Sequence, residues 1–246
     1  MLLGVDTGGT FTDFVFKEGE TWGVYKILST PSNPAEAVLS GLEQIAKMQQ
    51  VHVIHGSTVA TNAILEKKGA KTALITNSGF EDVIEIGRQN RKELYNLSYR
   101  KAPPLVPEDR RFGVRCRVDS SGKVLTDLND FEVSKIENRF RKAGVESVAV
   151  SFLFSFKNPE HEKRVRELIS QLQIPISMSH EILSEFREFE RTSTTVINAY
   201  VSPKMNRYIT RIADHLGKSR LRIMQSNGGS ISAETAAKES VRTILS

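Results

Sequence analysis

The densest set of chemically useful side chains in the sequence is Asp6-Thr7-Gly8-Gly9-Thr10-Phe11-Thr12-Asp13. Paired glycines permit positive φ and let the backbone approach an anion closely, and consecutive N–H groups in such a turn form an anion-binding concavity. Thr7, Thr10 and Thr12 add neutral hydroxyl donors, and Asp13 adds a second carboxylate. Asp6 falls at the C-terminal end of a first strand. There a carboxylate holds Mg2+ directly or through water, while most of the octahedral shell stays with water and phosphate. The chemistry these residues fit is the grip of a metal-bound nucleotide. A plain hairpin turn is the competing reading of Gly8-Gly9 alone, and Asp6 with the threonines weighs against it.

Two commoner glycine motifs are excluded. A Walker loop needs G-x-x-x-x-G-K-[ST], and no lysine stands in that place. A Rossmann fingerprint opens a helix after its glycines, whereas Phe11 to Phe16 reads as a strand. The local reading is therefore strand, glycine turn, strand.

A second candidate cluster begins at His55. It ends a strand, and Gly56-Ser57-Thr58 opens the following helix, so a polar side chain and helix-terminal N–H groups converge. His52 and His55 are an odd number of positions apart and point to opposite faces of a strand, which disfavours a chelating pair. A structural histidine is the competing reading of His55. Asn62 lies one turn beyond Thr58 and shares its face, or makes only a local helix-surface hydrogen bond. Arg88, Asn90 and Arg91 fit contacts to phosphate or to an anionic substrate, through the planar guanidinium fork, or salt bridges that fix their loop. Ser226-Asn227-Gly228-Gly229 follows a strand and faces a cleft or is a bare turn. His161, between two glutamates near a helix start, reads as a solvated surface residue.

The totals set the frame. A chain of 246 residues, 39% apolar and 26% charged, has the composition of an ordinary globular protein. One cysteine, Cys116, excludes an internal disulfide and fits a reducing cytoplasm. No export signal is evident, and no window approaches the roughly 20 apolar residues of a membrane span. The formal charge of +5 is concentrated: residues 88–117 hold nine Lys/Arg against three Asp/Glu, a surplus of six. Clustered cations suit a nucleic-acid backbone, but Tyr95, Tyr99 and Phe112 are scattered and form no stacking platform. No nucleic-acid or membrane role is expected.

Strands are expected at Leu2–Val5, Phe11–Phe16 and Thr21–Leu28, then a helix from Pro34, capped by Asn33, with Val38, Leu42 and Ile45 on one face. A strand at Val51–Ile54, a helix at Thr58–Lys68 and a strand at Lys71–Thr76 continue an α/β alternation. It breaks up around Pro103, Pro104 and Pro107, an insertion or lid near 86–127 with small strands at Phe112–Val118 and Lys123–Leu125. Helices and strands then alternate from Asp130 to Met178. Two helices separated at Ser202-Pro203 span Ser184–Gly217. A strand at Leu221–Gln225, a helix at Ala233–Glu239 and an apolar strand-like ending follow.

The strand, D-x-G-G-T turn, strand pattern resembles the first phosphate loop of the actin and sugar-kinase ATPases. Further blocks sharpen the resemblance: Gly4–Asp13, His55–Ala63, Gly79–Asp82, Ile86–Arg91, Tyr200 with Pro203, Met224–Gly229 and Thr243–Ser246. In order, and over essentially the whole chain, they resemble the hydantoinase/oxoprolinase family: hydantoinase A subunits, the N-terminal half of 5-oxoprolinase and acetone carboxylase β-type subunits. The pattern departs at Ser57, where threonine is expected, and at Asn227, where aspartate is commoner.

The resemblance implies an α/β fold, the first half of an actin/sugar-kinase-like (ribonuclease H-like) ATPase, truncated before the second half. It implies an N-terminal domain over 1–178 and the start of a hydantoinase A domain over 179–246. The implied activity is ATP- and Mg2+-dependent opening of a lactam or cyclic imide. The implied partner is a B-type subunit or domain, and a homo-oligomer is open. The implied roles are catalytic for Asp6, His55 and Arg88, and metal-binding for Asp6. Nucleotide contacts fall to Thr7, Gly8, Gly9, Thr10, Thr12, Asp13 and Ser226–Gly229, and substrate contacts to Thr58, Asn62, Asn90 and Arg91. A small-molecule kinase and a non-catalytic assembly module remain the alternatives.

Overall fold

The computed structural model describes residues 1–46, 51–90, 93–217 and 220–246. The chain forms two compact units, one from Met1–Gly69 with Val201–Ser246 and the other from Ala70–Tyr200.

The first unit begins with β1 (Leu2–Thr7), β2 (Phe11–Glu18), β3 (Thr21–Leu28), α1 (Pro34–Ala46), β4 (His52–Ser57) and α2 (Val59–Leu65). The second unit carries β5 (Thr72–Asn77), α3 (Val83–Ile86), β6 (Arg111–Val114), β7 (Arg117–Val118), β8 (Val124–Thr126), α4 (Asp130–Ala143), β9 (Ser147–Ser151), α5 (Glu160–Ile169), β10 (Ile176–Met178) and α6 (Ser179–Ile182). The long helix α7 (Glu188–Leu216) runs through the junction at Tyr200, and β11 (Leu221–Met224), β12 (Ser230–Ser232) and α8 (Ala233–Lys238) complete the first unit.

In the first unit the strand order is β12-β11-β4-β1-β2-β3. Pairs β1/β4 and β4/β11 are parallel; β1/β2, β2/β3 and β11/β12 are antiparallel. The period-2 alternation of β1 decides its faces: Leu3, Val5 and Thr7 are buried, whereas Leu2 and Asp6 are exposed. Register extends the buried face through Phe14, Val53, His55 and Ile223. Helix α1 packs against β1 to β3 with Val38 and Leu42 buried, and Gly41 lies directly under the Phe14 ring. Pro34 opens that helix, where a missing N–H costs nothing.

The second unit is built on the parallel sheet β10-β9-β5-β6. All residues of β5 and β9 are buried, as expected of a parallel sheet covered on both faces. Ile75, Phe112, Phe140, Val148, Val150 and Val165 form one core cluster, while Leu74, Ala149, Val196 and Ala199 form another. The second cluster ties the first turns of α7 to this unit, so residues 179–200 lie with the preceding segment.

Three expectations change. The single small strand near 112–118 is two: Arg111–Val114 joins the main sheet and Arg117–Val118 pairs in a separate hairpin. The two helices expected around Pro203 are one, because buried residues on both sides, among them Val201, Met205 and Ile209, outweigh the lost backbone bond, about 3 kcal/mol. The strand-like ending is a 3-10 helix over Ser240–Thr243, where Ser240 Oγ donates to the Ala236 carbonyl and Thr243 Oγ1 to that of Ser240.

Two consequences are testable. A Cβ at Gly41 would stand 2.1 Å from Phe14 Cζ, and the ring is fully buried with no space to yield. Gly41→Ala is expected to destabilise the fold by about 1–3 kcal/mol, seen as a lowered Tm; an unchanged Tm contradicts the packing. Burial lowers His55 to about 4 despite its bond to the Val5 carbonyl. Its contribution is therefore intact above the ordinary histidine pKa and is lost as pH falls toward 4. Denaturant titrations should show about 2 kcal/mol lost between pH 7 and 5, a step that is absent in His55→Asn.

Candidate functional site

The turn Gly8-Gly9-Thr10 joins β1 to β2 and is closed by Gly8 N–H donating to the Phe11 carbonyl at 3.0 Å. Ser29 braces it: its N–H donates to the Thr10 carbonyl at 2.8 Å, and its hydroxyl donates to the Gly8 carbonyl at 2.9 Å. Thr12, fully buried, shares a 2.9 Å hydroxyl bond with Ser29. Thr12 thus fixes the turn from inside and lines none of the described cavities. Gly8 and Gly9 do not use positive φ. Their value is room: a Cβ on Gly8 would stand 3.3 Å from the Phe11 carbonyl oxygen. Among the described residues the Gly9 and Thr10 amides have no acceptor. Thr10 itself is exposed.

The parallel register sets Thr7 beside Ser57, so the turn after β1 and the start of α2 emerge at one sheet edge. There the Thr7 carbonyl accepts from Thr58 N–H and Thr58 Oγ1, both at 3.1 Å. Asn62 Nδ2 donates to Thr58 Oγ1 at 3.3 Å. A cavity of about 400 Å³ opens at this edge, lined by Thr7, Gly8, Gly9, Thr58 and Asn62, within the size range of small-molecule pockets. The Thr7 hydroxyl is closed to solvent beside Tyr208, outside hydrogen-bond geometry, and has no partner among the described residues.

Asp6 stands on the other sheet face, exposed and outside this cavity. Its cross-strand neighbour is Asp13, and its parallel neighbour is Gly56. Asp13 is paired to Lys26 at 2.7 Å, which relieves the repulsion between facing carboxylates. At Gly56 a Cβ would meet Asp6 Oδ1 at 3.4 Å, so the glycine leaves the carboxylate its space. This donor set fits Mg2+, which binds through one or two carboxylates and keeps several waters.

His55 is fully buried and lines none of the described cavities. Its Nδ1 is 3.1 Å from the Val5 carbonyl, an acceptor only, so Nδ1 carries the proton; Nε2, at 2.5 Å, accepts from the Tyr208 hydroxyl. Burial also pushes the Tyr208 phenol up to about 12. The pair is neutral and positions the sheet under Thr7 and Ser57.

Ser226, Asn227, Gly228 and Gly229 form the turn between β11 and β12 and line none of the described cavities. Strand β11 runs parallel to β4, so this turn leaves the same sheet edge as Thr7 and Ser57. Ser226 is committed to the Arg242 carbonyl through both N–H and Oγ, and Gly228 and Gly229 hold φ of 86° and 78°. Arg88 and Asn90 belong to the second unit. Arg88 is ion-paired with Glu190, which holds that carboxyl below its usual range, and both line a shallow cavity with Phe186 and Phe189. Asn90 is exposed, and Arg91 lies outside the described residues.

Sequence reasoning missed much of the cavity wall: Ser29 to Ser32, Pro34, Glu66, Lys68 and Lys204. The run Ser29-Thr30-Pro31-Ser32-Asn33-Pro34 between strand and helix was a legible signal, since such polar, proline-rich loops at strand ends line sites. Lys204 carried none.

A model of the hydantoinase/oxoprolinase N-terminal region matches residues 2–173, and one of hydantoinase/oxoprolinase matches residues 191–246. The chain is 37% identical to the caprolactamase subunit alpha of Pseudomonas jessenii over 246 aligned positions, covering 92% of this chain and 35% of that protein. Among solved structures, a nucleotide-free acetone carboxylase superposes with a TM-score of 0.87 at 30% identity, covering 100% of this chain and 38% of the other. The ATP-dependent caprolactamase of Pseudomonas jessenii superposes with a TM-score of 0.83 at 36% identity, covering 99% and 39%. The chain thus spans little more than a third of the length of these relatives. Its mixed α/β sheets are the N-terminal portion of an actin-like ATPase fold. Motif order, fold and both family models agree, and the chain belongs to the hydantoinase/oxoprolinase family.

Proposed function

We propose that the protein to which this chain contributes opens a lactam or cyclic imide, with ATP hydrolysis driving the reaction. The observation that carries the reading is the cavity that joins the glycine turn to Thr58 and Asn62, with the unpaired Gly9 amide at its wall. Relatives named as ATP-dependent caprolactamase and as 5-oxoprolinase support it, and relatives named as subunits support a partner chain.

A five-membered lactam resists hydrolysis because its amide is resonance-stabilised and its nitrogen leaves badly. Phosphorylation removes both obstacles. The ring carbonyl oxygen attacks the γ-phosphorus, the bond to the ADP oxygen breaks, and the ring carbon becomes an activated imidate. Water adds to that carbon, the C–N bond breaks as nitrogen takes a proton to leave an acyl phosphate, and a second water displaces phosphate to give the free carboxylate. In this reading the Gly9 and Thr10 amides stabilise charge on the transferring phosphoryl oxygens, a role worth roughly a hundredfold or more per donor. Thr58 and Asn62 orient the ring. Asp6, with Asp13 beside it, would hold Mg2+, which when bound neutralises phosphate charge. His55 does no proton transfer in this scheme, because it is buried and already bonded at both nitrogens.

The test uses the full-length protein with Mg-ATP and 5-oxoproline, following ADP and the ring-opened amino acid together. The expected outcome is stoichiometric release of both; a phosphorylated product with the ring intact moves the protein to the kinases. Asp6→Asn is expected to lower turnover by roughly a hundredfold or more with an unchanged circular dichroism spectrum. Near-normal turnover removes the metal role of Asp6.

A further inference from the structure

The cavity beside the glycine turn holds two lysines of unequal freedom. Lys68 is paired with Glu66 at 2.8 Å. Lys204, half-buried on α7, has no carboxylate within ion-pair distance among the described residues, although Glu66 is near enough to feel its charge. With Lys68 and Glu66 cancelling each other, the lining carries one uncompensated positive charge. Asn62 lines the same space, and its side-chain carbonyl accepts no bond among the described residues.

This arrangement reads as a recognition set. A cyclic amide offers one carbonyl and one N–H. The Asn62 carbonyl can accept from the N–H. A lone cation then matches a single negative charge on the ring, not a triphosphate, whose several charges need the divalent ion and main-chain amides of the hairpin. Desolvating a lysine without a counter-charge is costly, so a neutral ring would leave Lys204 unsatisfied. A ring with a carboxylate would supply the missing partner.

We propose that Lys204 is a specificity-determining residue that selects cyclic amides bearing a carboxylate. The inference rests on the reading of this cavity as the cyclic-amide site and adds the charge class of the ring.

The experiment compares binding of 5-oxoproline and 2-pyrrolidinone, the same ring without the carboxylate, to the 246-residue chain by calorimetry. The wild-type chain is expected to favour 5-oxoproline by about tenfold, the worth of one partly desolvated charge pair. Lys204→Met should bind both rings alike, and Lys204→Arg should keep the preference. Equal binding by the wild-type chain, a preference that survives in Lys204→Met, or binding of neither ring overturns the proposal. So does a Lys204→Met change confined to Mg-ATP affinity. Ring selection without ATP-driven opening in the full-length protein would sink only the broader reaction, so the two readings fail separately.

Discussion

The site depends on the in-register parallel pairing of β1 with β4. Because Thr7 lies beside Ser57, the Thr7 carbonyl is reached by both the N–H and the hydroxyl of Thr58. That double acceptance locks the glycine turn against the start of α2. A slip of one residue would turn Thr7 outward and Asp6 inward and would exchange every side chain between the two faces. The neutral His55–Tyr208 pair holds this register from below, since it ties β4 to the Val5 carbonyl of β1 and to α7 at once.

The same alternation separates two kinds of chemistry across one sheet. Thr7 and the cavity lie on one side, and Asp6 with Asp13 on the other, while the hairpin turn borders both. Main-chain amides at the turn suit phosphate oxygens, carboxylates on one flank suit a divalent ion, and hydroxyl, amide and ammonium groups on the other flank suit a ring. The division follows from period 2 and needs no further device.

Much of this was legible in the residues. The strand after Gly8-Gly9 separated the loop from Walker and Rossmann motifs, and the odd spacing of His52 and His55 placed them on opposite faces, one exposed and one buried. The family was legible through ordered motif blocks. Other features were not. Whether Thr12 touches a ligand or Ser29 is decided by packing, and the continuity of α7 through Pro203 by buried neighbours. Lys204 reaches the cavity wall because residues 1–69 and 201–246 form one compact unit, a long-range pairing that no local pattern encodes.

In the proposed reaction the turn amides after β1 receive phosphate. The most direct measurement is an amide chemical-shift titration of the chain with Mg-ATP or a non-hydrolysable analogue. The account predicts saturable shifts at the Gly9 and Thr10 amides, with the Gly144 amide, bonded to the Arg141 carbonyl at the end of α4, unmoved. Saturable binding that leaves Gly9 and Thr10 unshifted, or no binding at all, would contradict it.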